Sequence, residues 1–310
     1  MPRIPAFRRR LRALLTMIPL LFALLPPRAA CAADISVTDD TGRTVRLREP
    51  AKRVIALYGA FNEILLSLGC GERIVARTAA DAALPELAAL PAIGTHMRPN
   101  QELILAHAPD LILQLRGRKE ADLQTESLRR LGLPVLCFTL ESFADMFRVT
   151  RLLGRLTGKE EEAGRLVAGW EETLRATARR HAGEKAVTVF YEVRYPNLLA
   201  AGRGSVVDEI IRTAGGTNVI RDTAKIVRLN EEALILADPE VCVVQKGPMN
   251  PQPTPLDRRP HFRTLRCVTT GRTLVVDETA YSRPGPRSIG ACGELERFLH
   301  PGAPDAEEKR

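Results

Sequence analysis

The segment from Lys159 to His181 sets the terms for the rest of the chain. It reads KEEEAGRLVAGWEETLRATARRH, and its apolar residues Ala163, Leu166, Val167, Trp170 and Leu174 recur three and four apart while charges fill the opposite face. No proline interrupts it, acids cluster at its start and bases at its end, and Glu161/Arg165 and Glu171/Arg175 are i,i+4 pairs in the favourable order. The pattern predicts one helix of roughly 23 residues, about 35 Å long at 1.5 Å per residue. Strand-like and helix-like runs alternate on both sides of it, so the helix reads as a rod joining two α/β lobes with a cleft between them. The competing reading is an ordinary long surface helix packed on one domain.

The chain divides accordingly into residues 1–32, a first lobe 33–157, the bridging helix 158–182 and a second lobe 183–310. The opening stretch has the three parts of a secretory signal peptide: an arginine-rich start, an apolar run from Ala13 to Leu25, and the small-residue ending Ala30-Cys31-Ala32. Cleavage near Ala32 fits. That run is short of the ~20 residues a membrane span needs. Lipid attachment at Cys31 is disfavoured by Arg28, which stands where such a signal carries an apolar residue. The net charge of +8 suggests nucleic acid until it is located: six arginines precede Ala33 with no acid among them, so the remainder carries +2. An exported, nearly neutral chain is not a nucleic-acid binder.

Five cysteines remain, Cys70, Cys137, Cys242, Cys267 and Cys292, with no CxxC spacing. Cys137 and Cys242 sit in apolar strand-like runs and read as core residues. A Cys267–Cys292 bridge is allowed, though nothing in the sequence selects it.

The first lobe opens on ISVTDDTGRTVRL, a β-hairpin with an Asp-Asp-Thr-Gly turn. A strand at Arg53–Leu57, a helix from about Ala60 to Leu68, and the runs RIVA, NQELILAHA, DLILQL and PVLCF continue it as a parallel, doubly wound sheet. After the joining helix, AVTVFYEV, VVDEIIRTAGG, NEEALILA, EVCVV and TLVVD repeat the scheme. Glu63-Ile64-Leu65-Leu66-Ser67-Leu68-Gly69 and Glu209-Ile210-Ile211-Arg212-Thr213-Ala214-Gly215 match in acid, apolar pair and terminal glycine. The fold class is therefore α/β, two Rossmann-like lobes with parallel sheets joined by one long helix.

The order VTDDTGRTV, RVIAL, FNEILLSLG, ERIV and APDLIL, with the ending SRPGPR…ELERFLHP, resembles the periplasmic substrate-binding proteins of ABC importers for iron–siderophores, haem and cobalamin. The resemblance implies a periplasmic monomer that captures a metal chelate between its lobes and delivers it to an inner-membrane permease dimer. It implies no catalysis and no resident cofactor, the iron or cobalt complex being cargo. It further implies a glutamate on each lobe that docks onto permease arginines, which Glu63 and Glu209 match.

Ligands of open α/β sheets bind beyond the carboxyl ends of the strands. The loops there supply Tyr58, His96, Arg98, Arg116, Arg194, Tyr195, Lys246, Arg283 and Arg287. Six of the nine are arginine or lysine, so the expected ligand is an anion. With a single histidine in these loops, a bare transition-metal ion fits less well, since such an ion takes several nitrogen, sulfur or carboxylate ligands. A periplasmic carrier serving a chelatase or sensor keeps the same fold. An exported enzyme is the further alternative, but GxSxG, HExxH and a Ser-His-Asp set are all missing.

Overall fold

A computed structural model describes residues 34–302; the leader and its cleavage and lipidation sites lie outside them. Strands β1 (Ile35–Thr38) and β2 (Thr44–Leu47) pair antiparallel as the expected hairpin. Then come β3 (Val54–Ala56), α1 (Gly59–Ser67), β4 (Ile74–Ala76), α2 (Gln101–Ala106), β5 (Leu111–Leu115), α3 (Lys119–Arg130) and β6 (Val135–Phe138). Their sheet has the order β4-β3-β5-β6, every pair parallel. β3 is buried throughout, as the all-apolar strands of a sheet covered on both faces must be.

Helices α4 (Phe143–Thr157) and α5 (Glu160–Arg180) follow, separated by Gly158 in the left-handed conformation. The second half contains β7 (Val187–Arg194), β8 (Leu199–Ala201), α6 (Val206–Thr213), β9 (Gly216–Asn218), β10 (Ile226–Arg228), α7 (Glu231–Ala237), β11 (Val241–Lys246), α8 (Arg266–Thr269), β12 (Thr273–Asp277), α9 (Glu278–Tyr281) and α10 (Pro286–Leu299). Its parallel part runs β9-β7-β11-β12, the same order as the first sheet. The sheet departs from the all-parallel expectation through β8 and β10, which are antiparallel. Only Tyr195–Leu198 separate β7 from β8, whereas a parallel return needs a crossover of a dozen residues or more.

The rod predicted at 159–181 is α5, but it does not span open space. Trp170 stacks on Phe147 of α4 with ring centroids 6.5 Å apart, and α4 is tied to the first half by the Ala51 N–H, which donates to the Leu156 carbonyl. At its far end Arg180 donates to Glu296 of α10. Helix α4 itself has no counterpart in the sequence reading. One apolar core runs through Val54, Leu113 and Leu136 of the first sheet, Ala163 and Val167 of α5, and Val189 and Val243 of the second. Residues 35–302 belong to one compact unit, with two large sheets and the two-stranded hairpin.

Cys242 is bonded to Cys267, with Cα atoms 5.7 Å apart, so Cys242 is more than a core residue and Cys267 does not bridge to Cys292. Cys292 lies on the buried face of α10; it is free and buried, as are Cys70 and Cys137.

Candidate functional site

The strand ends bring three of the expected residues together. Tyr58, leaving β3, is the N-cap of α1 and faces His96 with ring centroids 6.1 Å apart and planes at 69°. His96 is held by its carbonyl, which accepts from the Gln114 side chain at 3.0 Å. Arg283 reaches them from the loop after α9: its Nη1 lies 2.4 Å from where a Cβ on Gly59 would stand, so only glycine leaves room for the guanidinium there. The Asp81 Oδ1 sits 2.8 Å from the same point, while its Oδ2 accepts from the Thr78 hydroxyl and N–H.

Two cations that the sequence reading missed complete the group. Burial and then the charges of Arg118 and Arg283 hold the His96 imidazole below its ordinary pKa, so the ring is neutral at pH 7. Burial pushes the Tyr58 phenol up to about 12 although Arg283 and Arg118 oppose it. Lys225, from the segment before β10, is held down by burial, with Arg118 adding to the effect. Arg118, Lys225 and Arg283 form no ion pair among the described residues, although Lys225 feels Glu141 and Arg283 feels Glu63 and Glu278. Arg118 and Arg283, one from each half of the chain, thus act on one protonated phenol and one neutral imidazole, and Lys225 feels the charge of Arg118. Arg118 was within reach of sequence reasoning, two residues beyond Arg116 on the same strand end. Lys225 had no such marker, because it lies seven residues beyond β9, just before the antiparallel strand β10 rather than in a loop directly after a parallel strand.

The other expected residues are placed differently. Arg116 donates to the Asp40 carbonyl at 2.7 Å and so secures the hairpin. Tyr195 donates to Glu231 at 3.1 Å and lies 4.0 Å under the Arg259 guanidinium, which is itself paired with the buried Glu192. Arg287 pairs with Asp277 and donates to Thr279. These three are structural, because each polar end already has a partner in the fold. Arg98 and Lys246 are exposed and form no ion pair among the described residues, and the Arg194 Nε is buried without a partner.

Glu63 and Glu209 are not exposed docking acids. Glu63 is 7% exposed; its Oε2 lies 3.1 Å from where a Cβ on Gly285, the N-cap of α10, would stand, which places the carboxylate at the start of α10 beside the Arg287 backbone. Glu209 accepts from the Phe143 N–H at 3.0 Å, at the start of α4. Each glutamate therefore caps a helix of the other half, α1 capping α10 and α6 capping α4. This is the reciprocal contact expected between halves related by a pseudo-two-fold axis. Burial raises both carboxyls above the usual range, more than the capping N–H groups and neighbouring arginines lower them.

Exposed acids occur instead on a second pair of matched helices. α2 and α7 begin with Asn100-Gln101-Glu102 and Asn230-Glu231-Glu232, and each asparagine accepts from the N–H three residues on, Leu103 and Ala233. Each helix ends at a left-handed residue followed by proline, Ala108-Pro109 and Asp238-Pro239. Ile104 and Leu234 are buried at equivalent positions, whereas Glu102, Leu105, Glu232 and Ile235 face outward. The repeated Asn-x-Glu was visible in the sequence as the marker of this pair.

A family model described as periplasmic binding protein matches residues 54–278. The chain is 23% identical over 273 residues to an uncharacterized ABC transporter substrate-binding lipoprotein of Bacillus subtilis, with 86% of each chain covered. It is 22% identical over 248 residues to the vitamin B12-binding protein of Vibrio parahaemolyticus, covering 80% of this chain and 89% of that one. Among solved structures, a periplasmic heme binding protein from Pseudomonas aeruginosa superposes with a TM-score of 0.72 at 22% identity, over 82% of this chain and 94% of that one. At that identity the likeness establishes the fold. No helix among the described residues is long and apolar enough to cross a membrane.

Proposed function

The chain belongs to the periplasmic binding protein family, and from that premise we propose that it captures an anionic metal chelate at the Tyr58–His96–Arg283 group and hands it to an ABC permease. The family carries substrates for import and is not enzymatic. The observation that carries the proposal is that Arg118 and Arg283, one from each half, both act on Tyr58 and His96 while forming no ion pair among the described residues, with Lys225 within the field of Arg118. An unpaired, partly buried cation is costly unless a counter-ion completes it, and cations gathered in one place attract a polyanion. The tyrosine and the neutral histidine beside them add an apolar surface and nitrogen and oxygen donors suited to a metal complex rather than to a simple sugar.

Docking on the permease falls to Glu102 and Glu232. They stand on pseudo-symmetric helices, are exposed, and have Leu105 and Ile235 beside them to bury against a two-fold partner. Export to the periplasm with cleavage near Ala32 completes the reading.

The test is a binding panel of haemin, cyanocobalamin, ferric hydroxamate and ferric citrate, followed by thermal shift. One of these should raise the melting temperature, a hundredfold excess over Kd stabilising by about 2.7 kcal/mol. Uptake into permease-containing vesicles should fail for the Glu102→Ala, Glu232→Ala double variant while ligand binding persists. A panel without any shift overturns the chelate, and normal uptake by the double variant overturns the docking.

A further inference from the structure

A second constellation lies at the opposite end of the second sheet, where β7 begins. His181 terminates α5, His300 follows α10, and Glu184 stands in the turn between α5 and β7. The two imidazoles stack with centroids 3.6 Å apart and planes at 13°. They fit only because residue 215 is glycine: a Cβ there would stand 2.7 Å from the His300 Nε2 and 2.9 Å from the His181 Cβ.

The hydrogen bonds fix the proton of one ring. The His300 Nε2 is 3.2 Å from the Ala214 carbonyl, which can only accept, so this nitrogen is the donor and the Nδ1 of the neutral ring presents a lone pair, 3.7 Å from Glu184 Oε2. The His181 ring lies between two acceptors, its Nε2 2.9 Å from Glu296 and its Nδ1 2.9 Å from the same Glu184 oxygen, so either nitrogen can be the donor. With the His181 proton on Nε2, both Nδ1 atoms and the Glu184 oxygen are free to meet one cation. One donor atom from each of the three residues lies within 4.8 Å of the others.

We propose that His181, His300 and Glu184 bind one divalent transition-metal ion of the Zn²⁺ or Co²⁺ type, outside the substrate cleft. Two imidazoles and one carboxylate form a familiar donor set for such ions, with a position left open for water. The outer partners are those that orient metal-bound histidines: a carboxylate on one Nε2–H and a backbone carbonyl on the other. Arg180, paired with Glu296, holds that carboxylate in place. Drawing the three donors to about 2.0–2.2 Å from one ion requires the His300 ring to tilt out of its stack. A single anchoring bond to Ala214 leaves it free to do so, and the exposed Glu184 provides the entry path. The bound ion pins the end of α5 to the end of α10.

EDTA-treated protein titrated with Co²⁺ should develop visible ligand-field bands that saturate at one equivalent and are displaced by Zn²⁺. Zn²⁺ should also raise the melting temperature where Mg²⁺ does not. Glu184→Gln, at an exposed position, should leave the metal-free melting temperature unchanged and weaken Co²⁺ binding roughly 10-fold or more, as should His300→Gln. His96→Ala should leave the bands intact, which separates this site from the cleft. Absence of saturable bands at millimolar Co²⁺, binding that survives both substitutions at this site, or binding lost with His96→Ala alone would each overturn the proposal.

Discussion

Replacing Arg283 with alanine removes the one guanidinium whose charge acts on Tyr58, Glu63, His96 and Glu278 together. Because it forms no ion pair among the described residues, its donors are available to a bound anion. A charge-assisted hydrogen bond is worth about 1.5–3 kcal/mol. Its loss should therefore weaken binding of the chelate roughly 10- to 150-fold. Arg283→Lys should fall between, since an ammonium keeps the charge but not the planar fork. Titration calorimetry with the tightest ligand of the panel measures this directly. A second readout needs no ligand. A neighbouring cation disfavours the imidazolium, so removing it should shift the His96 titration, followed by NMR, upward toward the ordinary histidine value. An Arg283→Ala protein with wild-type affinity and an unmoved His96 midpoint would refute the placement of Arg283 at the centre of the site.

Glu63 titrates higher in the folded protein than in the unfolded chain, because burial outweighs Arg283, Arg287 and the capping N–H. Folding therefore takes up a proton between the two pKa values, and stability falls as pH rises through the folded one; Glu63→Gln should reduce that fall in urea unfolding measured across the window. Glu192, fully buried against Arg259, should cost roughly 3–5 kcal/mol when replaced by alanine, because a buried guanidinium is left unpaired. A Glu192→Met, Arg259→Met double variant should recover most of that loss, and calorimetric melting of the three proteins decides it. Reduction of the Cys242–Cys267 bond, which closes a loop with a sequence separation of 25, should lower stability by about 3 kcal/mol; Cys70, Cys137 and Cys292 should stay unreactive to thiol reagents until the protein unfolds.

Local patterns were legible wherever a residue's neighbours in sequence are also its neighbours in space. The hairpin at Ile35–Leu47, the strand Val54–Ala56, the helix Glu160–Arg180 and the alternation of strand and helix were all read from periodicity and turn residues. So was the likeness of the Glu63 and Glu209 helices, which the structure turns into mirrored caps. Tyr58, His96 and Arg283 could be proposed because the ends of parallel strands form one rim. Burial was not legible in the same way. Glu63 looks like any polar helix residue until α10, far along the chain, covers it, and Arg116 looks like a cleft cation until the hairpin claims it.

By itself the amino-acid sequence determined the two α/β halves, the helix that joins them and the positive character of the loops between, since periodicity and charge are carried by residues close along the chain. Only the tertiary structure decided which acids are hidden, which cations remain unpaired, which cysteines bond and which histidines meet. Those outcomes depend on contacts between segments distant in sequence, where burial and a single hydrogen-bond partner reverse what a side chain can do.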